Sequence, residues 1–148
     1  MSAANKPDNP RNWLSRAHSN LLLAGNGRQK GVFLEDLCFE AQQAAEKALK
    51  AVCVFYKVEF PKTHSLITLA GLLEQAGVQL PPEVRDAAPL TSYAVQSRYP
   101  DWEETVQEPE YQRALTVAGQ VVTLGGKDNS GAEMILTGGK CSLKRIDE

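Results

Sequence analysis

The sequence is poor in cysteine and histidine, with 3 cysteines and 2 histidines among 148 residues. Cys38, Cys53 and Cys141 are odd in number and far apart, and no CxxC pair or cysteine–histidine cluster occurs. This spacing excludes the usual ligand pattern of a zinc site, so we predict no metal and no cofactor. Unpaired cysteines are typical of a reducing compartment, which favours a cytoplasmic protein.

Long apolar runs and an excess of positive charge are also missing. No apolar stretch approaches the roughly 18 residues of a membrane-spanning helix, and the N-terminal stretch lacks the apolar core of a signal peptide. The formal net charge of -2 creates no overall field that would attract nucleic acid. We therefore expect no membrane partner, and binding of nucleic acid would need a local basic patch.

The sequence does have helical periodicity, divided by glycine and proline. Asn9 followed by Pro10 predicts an N-cap and the first residue of a helix, which should end at residues 25–27. The strongest pattern covers about residues 32–56 and predicts a long central helix whose alanines let neighbouring helices approach closely. The apolar stripe of this helix consists of Leu34, Cys38, Ala41, Ala45, Leu49, Val52 and Tyr56.

Further helices are predicted in the second half of the chain. Thr63 is the predicted N-cap of a third helix that ends at Gly77, and Pro82 is the predicted start of a fourth. Pro89 lies inside the fourth segment and should kink it or split it, and Pro109 opens the last helix. Because we find no convincing strand pattern, the sequence predicts an all-α fold, an up-and-down bundle of four to five helices.

The two ends of the chain differ from this helical body. Residues 1–9 are polar, and the last 24 residues hold five glycines without clean periodicity. We predict a flexible N-terminus at residues 1–9, a helical domain at 10–124 and a poorly ordered tail at 125–148. The tail would contain at most a short ordered piece at residues 134–136.

Three stretches, in this order and spacing, resemble the HEPN domain family. They are CFEAQQAAEKALKAV at residues 38–52, KTHSL at 62–66 and YAVQSRYPDW at 93–102, and the resemblance covers residues 13–122. It implies an up-and-down helical bundle that usually forms a homodimer. The family includes nucleotide-binding modules, ribonuclease toxins paired with a minimal nucleotidyltransferase antitoxin, and domains without known catalysis. The glycine-rich tail departs from the family, in which the last helix usually continues.

The catalytic members of this family have an arginine followed, after four to six residues, by a histidine. The positions so spaced after Arg98 are residues 103–105, which are Glu, Glu and Thr, so the histidine that would polarise the 2′-hydroxyl of RNA is absent. Arg11 and His18 match the spacing on the first helix, where they form either a solvated face or an anion site. The resemblance therefore implies no catalytic residue here and favours a non-enzymatic protein.

Basic residues in the first two of these stretches are candidates for binding phosphate. Lys62 and His64 stand at the start of the third helix, whose unpaired backbone N–H groups favour an anion. The alternative is a capped helix start whose His64 hydrogen-bonds a neighbouring helix. Lys47 and Lys50 lie on the polar side of the central helix, either as solvated lysines or in a nucleotide cleft, and Glu46 is spaced to pair with Lys50.

The third stretch supplies the last candidate cluster, Arg98 and Tyr99 with Asp101 and Trp102. An arginine beside aromatic rings can hold a phosphate and stack a base. The same residues can instead pin a helix end by burying the rings and pairing Arg98 with an acid. Pro100 disfavours helical conformation at Tyr99, so the preceding helix should end near Arg98.

The resulting prediction is a HEPN domain protein that binds a nucleotide, an RNA or a partner protein without catalysis. The candidate partner is a minimal nucleotidyltransferase, in a toxin–antitoxin-like pair, with Tyr93 or Tyr99 as the adenylylated residue by analogy. The alternative is a degenerate, metal-independent ribonuclease that uses Arg98 with His64 or His18. The predicted nucleotide- or phosphate-binding residues are Lys47, Lys62, His64, Arg98 and Tyr99.

Overall fold

The computed structural model describes residues 9–94 and 105–126, together with two strand segments in the tail. Within these ranges the chain forms five α-helices and one 3₁₀ helix, and the helices pack into an all-α bundle as predicted. Their bounds are α1 Pro10–Asn26, α2 Leu34–Phe55, α3 Leu66–Gln75, α4 Pro82–Asp86, the 3₁₀ helix Ala88–Ala94 and α5 Glu108–Gly126. In the described part of the chain, no helix has the length and apolar character needed to cross a membrane.

The centre of the bundle is α2, with α1 and α5 packed against it. Its alanines, among them Ala41, Ala45 and Ala48, are fully buried, which confirms the close helix approach that the sequence predicts. The contact is tight at Gly125 of α5, where an added Cβ would lie 3.3 Å from both the Cβ and the carbonyl oxygen of Ala48. Burying a leucine such as Leu49 in this core contributes about 1.5–3 kcal/mol to stability.

The starts of α1 and α3 follow the capping rules, with one correction. Asn9 caps α1, since its side-chain oxygen accepts a hydrogen bond of 2.9 Å from the backbone N–H of Arg11. The N-cap of α3 is Ser65 and not the predicted Thr63, because the Ser65 hydroxyl accepts from the N–H of Thr68 at 3.2 Å. The Thr63 hydroxyl instead accepts from the N–H of Ser65 at 3.0 Å, which forms a local turn before the helix.

Prolines and a glycine set the other helix boundaries as predicted. Pro82 is the first residue of α4. The predicted fourth segment is split into α4 and the 3₁₀ helix near Pro89, because proline has no N–H to continue an α-helix. Pro109 is the second residue of α5. Gly77 follows α3 with a φ of +90°, the left-handed conformation that glycine adopts without strain. Residues 95–104, after the 3₁₀ helix, lie outside the described ranges.

The glycine-rich tail contains two antiparallel strands, Ala132–Thr137 and Lys140–Arg145. The sequence analysis found no strand pattern here, and this pairing corrects that interpretation. Gly138 and Gly139 separate the strands in the sequence, and two glycines between short runs are a hairpin signal that we did not use. The poor order expected of the tail stays a prediction. The predicted domain boundaries at residues 10 and 124 stay a prediction.

Candidate functional site

A buried polar network lies on one side of α2. Gln42, Glu46 and Lys50 follow one another at intervals of four residues, which places them on the same helix face. Their exposed fractions are only 0%, 3% and 8%. The predicted solvated side of α2 is therefore wrong for Glu46 and Lys50. The physical reason is that Trp13 of α1 and Phe60, from the α2–α3 connection (residues 56–65), lie over Lys50, while His64 of the same connection lies against Glu46.

The carboxylate of Glu46 is the centre of this network. Its Oε2 accepts a hydrogen bond of 2.8 Å from Lys50 Nζ, which is the ion pair that the i,i+4 spacing predicts. Its Oε1 accepts from Gln42 Nε2 at 3.0 Å and from Gln43 Nε2 at 3.3 Å. The same oxygen lies 2.9 Å from His64 Nδ1. We call these five residues the Glu46 network, and in it the buried charge of Glu46 is fully compensated.

Two aromatic rings close one end of the Glu46 network. Lys50 Nζ lies 5.6 Å from the ring centroid of Trp13 and 5.6 Å from that of Phe60, at cation–π distance. The two rings also touch each other edge to face, with centroids 6.1 Å apart and an angle of 73° between their planes. This contact joins α1 to the α2–α3 connection across α2. Lys50 is therefore a structural cation that is closed off from ligands.

His64 connects the α2–α3 connection to α2. Its backbone carbonyl accepts a hydrogen bond of 3.1 Å from Gln42 Nε2, while Nδ1 contacts Glu46. This confirms the contact with a neighbouring helix that one of the two interpretations predicted. The side chain is nevertheless 50% exposed. Because Nδ1 faces the carboxylate, Nε2 lies on the other side of the half-exposed ring.

The N-terminus of α3 is less suited to an anion than the sequence predicted. The N–H of Leu66 donates to the Thr91 hydroxyl at 3.1 Å, and the N–H of Thr68 donates to the Ser65 hydroxyl. These two backbone groups are therefore already occupied. Lys62 is exposed on the α2–α3 connection. An anion near His64 would be held by side chains rather than by the end of the helix.

Lys47 lies on the outer side of α2, where α1 passes. Its Nζ donates a hydrogen bond of 2.9 Å to Asn20 Oδ1, and Asn20 Nδ2 donates to Glu40 Oε1 at 2.6 Å. Burial lowers the pKa of Lys47, and the nearby charge of Arg16 lowers it further. Lys47 is thus neither a fully solvated lysine nor one with a directly bound carboxylate. The sequence pattern did not identify Arg16 as a candidate residue. Its effect on Lys47 depends on the packing of α1 against α2.

The Glu46 network predicts a pH dependence of stability. Burial raises the pKa of Glu46, but hydrogen bonds from Lys50, Gln42 and His64 and the charge of Lys50 outweigh it, so the pKa lies below its ordinary value. A carboxyl with a lowered pKa in the folded state stabilises the fold above its unfolded-state pKa. That contribution is lost as the pH falls through the folded-state pKa.

The variant Glu46→Gln lacks this titrating group and serves as the reference. We expect the wild-type chain to have a higher free energy of unfolding than Glu46→Gln, and we expect this difference to be largest at about pH 7, where the carboxyl of Glu46 is ionised in both the folded and the unfolded state. The difference should shrink as the pH falls below about 4. Urea-induced unfolding at several pH values measures it. A difference that stays constant with pH would contradict the assigned role of the ionised carboxylate.

Several side chains with nucleophilic chemistry are buried. The hydroxyl of Tyr93 hydrogen-bonds to the carboxylate of Glu110, and burial together with this bond raises the pKa of Tyr93. Burial also raises the pKa of Cys38 to about 12 and that of Cys53 to about 11. These groups are poor nucleophiles at neutral pH. Tyr93, at 7% exposure, is also a poor site for adenylylation.

The remaining predicted residues are not brought into the Glu46 network. Arg11 is exposed and His18 is half-buried on α1. Arg98 and Tyr99 lie outside the described residues, so the cluster they form stays a prediction. Of the predicted residues, the structure places Lys47 on α2 in contact with α1, and His64 in contact with Glu46 of α2. Sequence reasoning missed the buried positions of Glu46 and Lys50, although their four-residue spacing was visible.

Comparison with protein families matches residues 10–128 to the HEPN domain. Neither the search of curated proteins nor the search of solved structures found a match. The matched residues cover most of the chain and include the helices described above and the whole Glu46 network. The chain therefore belongs to the HEPN domain family.

Proposed function

We propose that this HEPN domain is a non-catalytic module that binds a nucleotide or RNA through phosphate groups. The observation that supports it is that His64 meets Gln43 at one oxygen of Glu46, while Lys47 lies on the same face of α2 as Gln43. Gln43 Nε2 and His64 Nδ1 both contact Oε1 of Glu46, at 3.3 and 2.9 Å, and Lys47 is one helical turn beyond Gln43. An ammonium group and an imidazole that border one surface can bind a phosphate from two directions.

The other lysines near this surface differ in whether they can bind phosphate. Lys50 is excluded as a ligand group, because its ammonium pairs with Glu46 and is covered by aromatic rings. Lys62 is exposed two residues before His64 and supplies a further positive charge beside it. The proposed surface is therefore small, and it is formed by side chains of α2 and of the α2–α3 connection.

Removing the charge of Lys47 tests the proposal. We expect Lys47→Gln to weaken binding of a fluorescently labelled single-stranded RNA about tenfold, because one hydrogen bond to a charged group is lost. Fluorescence anisotropy at about 0.1 M salt measures the dissociation constant. The matched control is Lys30→Gln, which removes the same charge from an exposed position between α1 and α2. A wild-type chain that binds neither RNA nor adenosine monophosphate overturns the proposal.

The contact between Glu46 and His64 supports a second candidate function, a metal-independent ribonuclease. A buried carboxylate on Nδ1 orients an imidazole whose side chain is 50% exposed, an arrangement found in many general bases. Nε2 would accept the proton of a 2′-hydroxyl while the 2′-oxygen attacks the adjacent phosphorus. The 5′-oxygen would leave and take a proton from water, and the product would be a 2′,3′-cyclic phosphate. Arg98 is the predicted cation for the charged phosphorus.

Incubation of labelled RNA with the purified chain in EDTA separates the two functions. RNA that is bound but stays intact supports the non-catalytic module. Cleavage that disappears in His64→Ala supports the ribonuclease and overturns the non-catalytic proposal. Glu46→Gln keeps a hydrogen-bonding group beside His64 without the negative charge. It should therefore reduce such cleavage rather than abolish it.

A homodimer is the proposed assembly, with its contact surface at the turn between α1 and α2. Leu22 and Leu23, in the last two turns of α1, and Phe33, directly before α2, are 62%, 52% and 71% exposed, and apolar side chains exposed as a patch mark contact surfaces. Light scattering of Leu23→Ser measures the assembly state, and this variant should be monomeric. Ile67→Ser, at a position on α3 that is 47% exposed, is the matched control and should stay dimeric. A monomeric wild-type chain would refute this part of the proposal.

The proposed protein partner is a minimal nucleotidyltransferase in a toxin–antitoxin-like pair. Because Tyr93 is buried, Tyr99 is the better candidate for adenylylation. Incubation with such an enzyme and ATP, followed by intact-mass measurement, should reveal the addition of one AMP group. Tyr99→Phe should remain unmodified, and modification of that variant would exclude Tyr99 as the acceptor.

A further inference from the structure

Within the described ranges, a part of α2 between α1 and the α2–α3 connection is only half-covered. We call it the Gln43 strip, meaning Gln43 and Lys47 with Arg16 on the α1 side and His64 on the other side. Both residues of α2 are half-buried, whereas Arg16 and His64 are exposed. The strip is closed at one end, where the rings of Trp13 and Phe60 meet over α2. A group that enters the strip is therefore bordered on three sides.

Arg16 is placed at this strip by the packing of α1. It lies one helical turn before Asn20, and residues four apart share a helix face. Asn20 Oδ1 accepts the hydrogen bond of 2.9 Å from Lys47 Nζ, so Lys47 meets the face of α1 on which Arg16 lies. Burial is the larger cause of the lowered pKa of Lys47, and the positive charge of Arg16 is the second cause. The second cause agrees with a position of Arg16 near Lys47. Two cations on neighbouring helices thus approach each other.

The acids near these two cations are already engaged. Glu40 accepts the 2.6 Å hydrogen bond from Asn20, and Glu46 pairs with Lys50 at 2.8 Å in the buried network. Like charges that approach each other destabilise the fold slightly, and the charges of Glu46 and Glu40 each offset the effect of Arg16 on Lys47 only in part. A bound anion removes this repulsion. The arrangement therefore favours an anionic ligand more strongly than an isolated surface lysine does.

We propose that the Gln43 strip binds a phosphate monoester, such as the 5′-phosphate of a nucleotide or of an RNA end, with Arg16 as a binding residue. This inference rests on the proposed function and names the chemical group that the site recognises. A monoester carries up to two negative charges at neutral pH and a phosphodiester carries one. The cations of Arg16 on α1 and Lys47 on α2 match the higher charge, and the guanidinium of Arg16 can bind two phosphate oxygens together.

Two RNA oligonucleotides of the same sequence, one with a 5′-phosphate and one with a 5′-hydroxyl, test the inference. We expect the wild-type chain to bind the phosphorylated RNA about tenfold more tightly, a preference that one charged hydrogen-bond pair can produce. Arg16→Gln should reduce the preference to less than about twofold. Arg113→Gln removes an exposed arginine from α5 and should leave it unchanged. Adenosine monophosphate and adenosine form a second pair of probes, which represents free nucleotides.

The outcomes separate this inference from the proposed function. If the wild-type chain binds both RNAs equally, and both nucleoside probes equally, the monoester inference is wrong while the binding module stands. If it binds none of the four probes, the proposed function fails as well. A preference that persists in Arg16→Gln overturns the role of Arg16. A preference seen only with adenosine monophosphate supports the inference and identifies a free nucleotide as the source. Circular dichroism confirms that both variants are folded.

Discussion

Replacing Glu46 with alanine is expected to lower the free energy of unfolding by about 3–5 kcal/mol. Glu46 is only 3% exposed, and its carboxylate binds Lys50 Nζ at 2.8 Å and Gln42 Nε2 at 3.0 Å. Without it the ammonium group of Lys50 stays buried without a counter-ion, and a buried amide donor loses a partner. The contact to the His64 ring is lost too, so the α2–α3 connection keeps only the hydrogen bond from Gln42 to the His64 carbonyl as a polar link at this residue.

Urea-induced unfolding followed by circular dichroism measures this loss. Glu59→Ala is the matched control, because Glu59 is exposed on the α2–α3 connection, and it should change stability by less than about 0.5 kcal/mol. The double variant Glu46→Leu with Lys50→Met should recover part of the loss, since no charge is then left buried. A loss below about 1 kcal/mol for Glu46→Ala would contradict the central role of this carboxylate.

Replacing Ala48 with leucine is expected to destabilise the chain by about 3 kcal/mol, the upper end of the usual cost of overpacking. Ala48 is fully buried on α2 and faces Gly125 of α5. A Cβ added at Gly125 would lie 3.3 Å from the Cβ of Ala48 and 3.3 Å from the side chain of Leu14 on α1. Three helices meet here, so a larger side chain has to push at least one of them away.

The same substitution at an exposed alanine provides the control. Ala76 is exposed at the end of α3, and Ala76→Leu should leave the urea midpoint nearly unchanged. Ala48→Leu should lower the midpoint without a change in helix content at low urea, because the packing rather than the helix propensity is altered. An unchanged midpoint for Ala48→Leu would mean that the α2–α5 contact adapts easily.

The sequence predicted the helices well because their signals are local. Asn9 with Pro10 and the apolar stripe of α2 each report on a few neighbouring residues, and each was confirmed. Pro89 split the fourth segment for the same reason, since proline removes a backbone donor wherever it stands. The N-cap of α3 was misassigned because Thr63 and Ser65 are both good caps, and only the three-dimensional turn distinguishes them.

The candidate site was predicted only in part because it depends on contacts between elements. The KTHSL stretch and the central helix pointed to His64 and Lys47, and the structure places both beside Gln43. A helical wheel of α2 shows which residues share a face, but it does not show what covers that face. Glu46 was therefore assigned to solvent, although residues distant in sequence bury it.

What the sequence by itself determined is the set of helices, the HEPN family and the absence of a histidine in the expected position after Arg98. These depend on residue type and spacing along one chain. The tertiary structure alone decided that Glu46 is the buried centre of a polar network and that Lys47 meets the face of α1 that carries Asn20 and Arg16. The physical reason is that desolvation and charge proximity depend on which helix packs against α2, and spacing within a single helix does not contain that information.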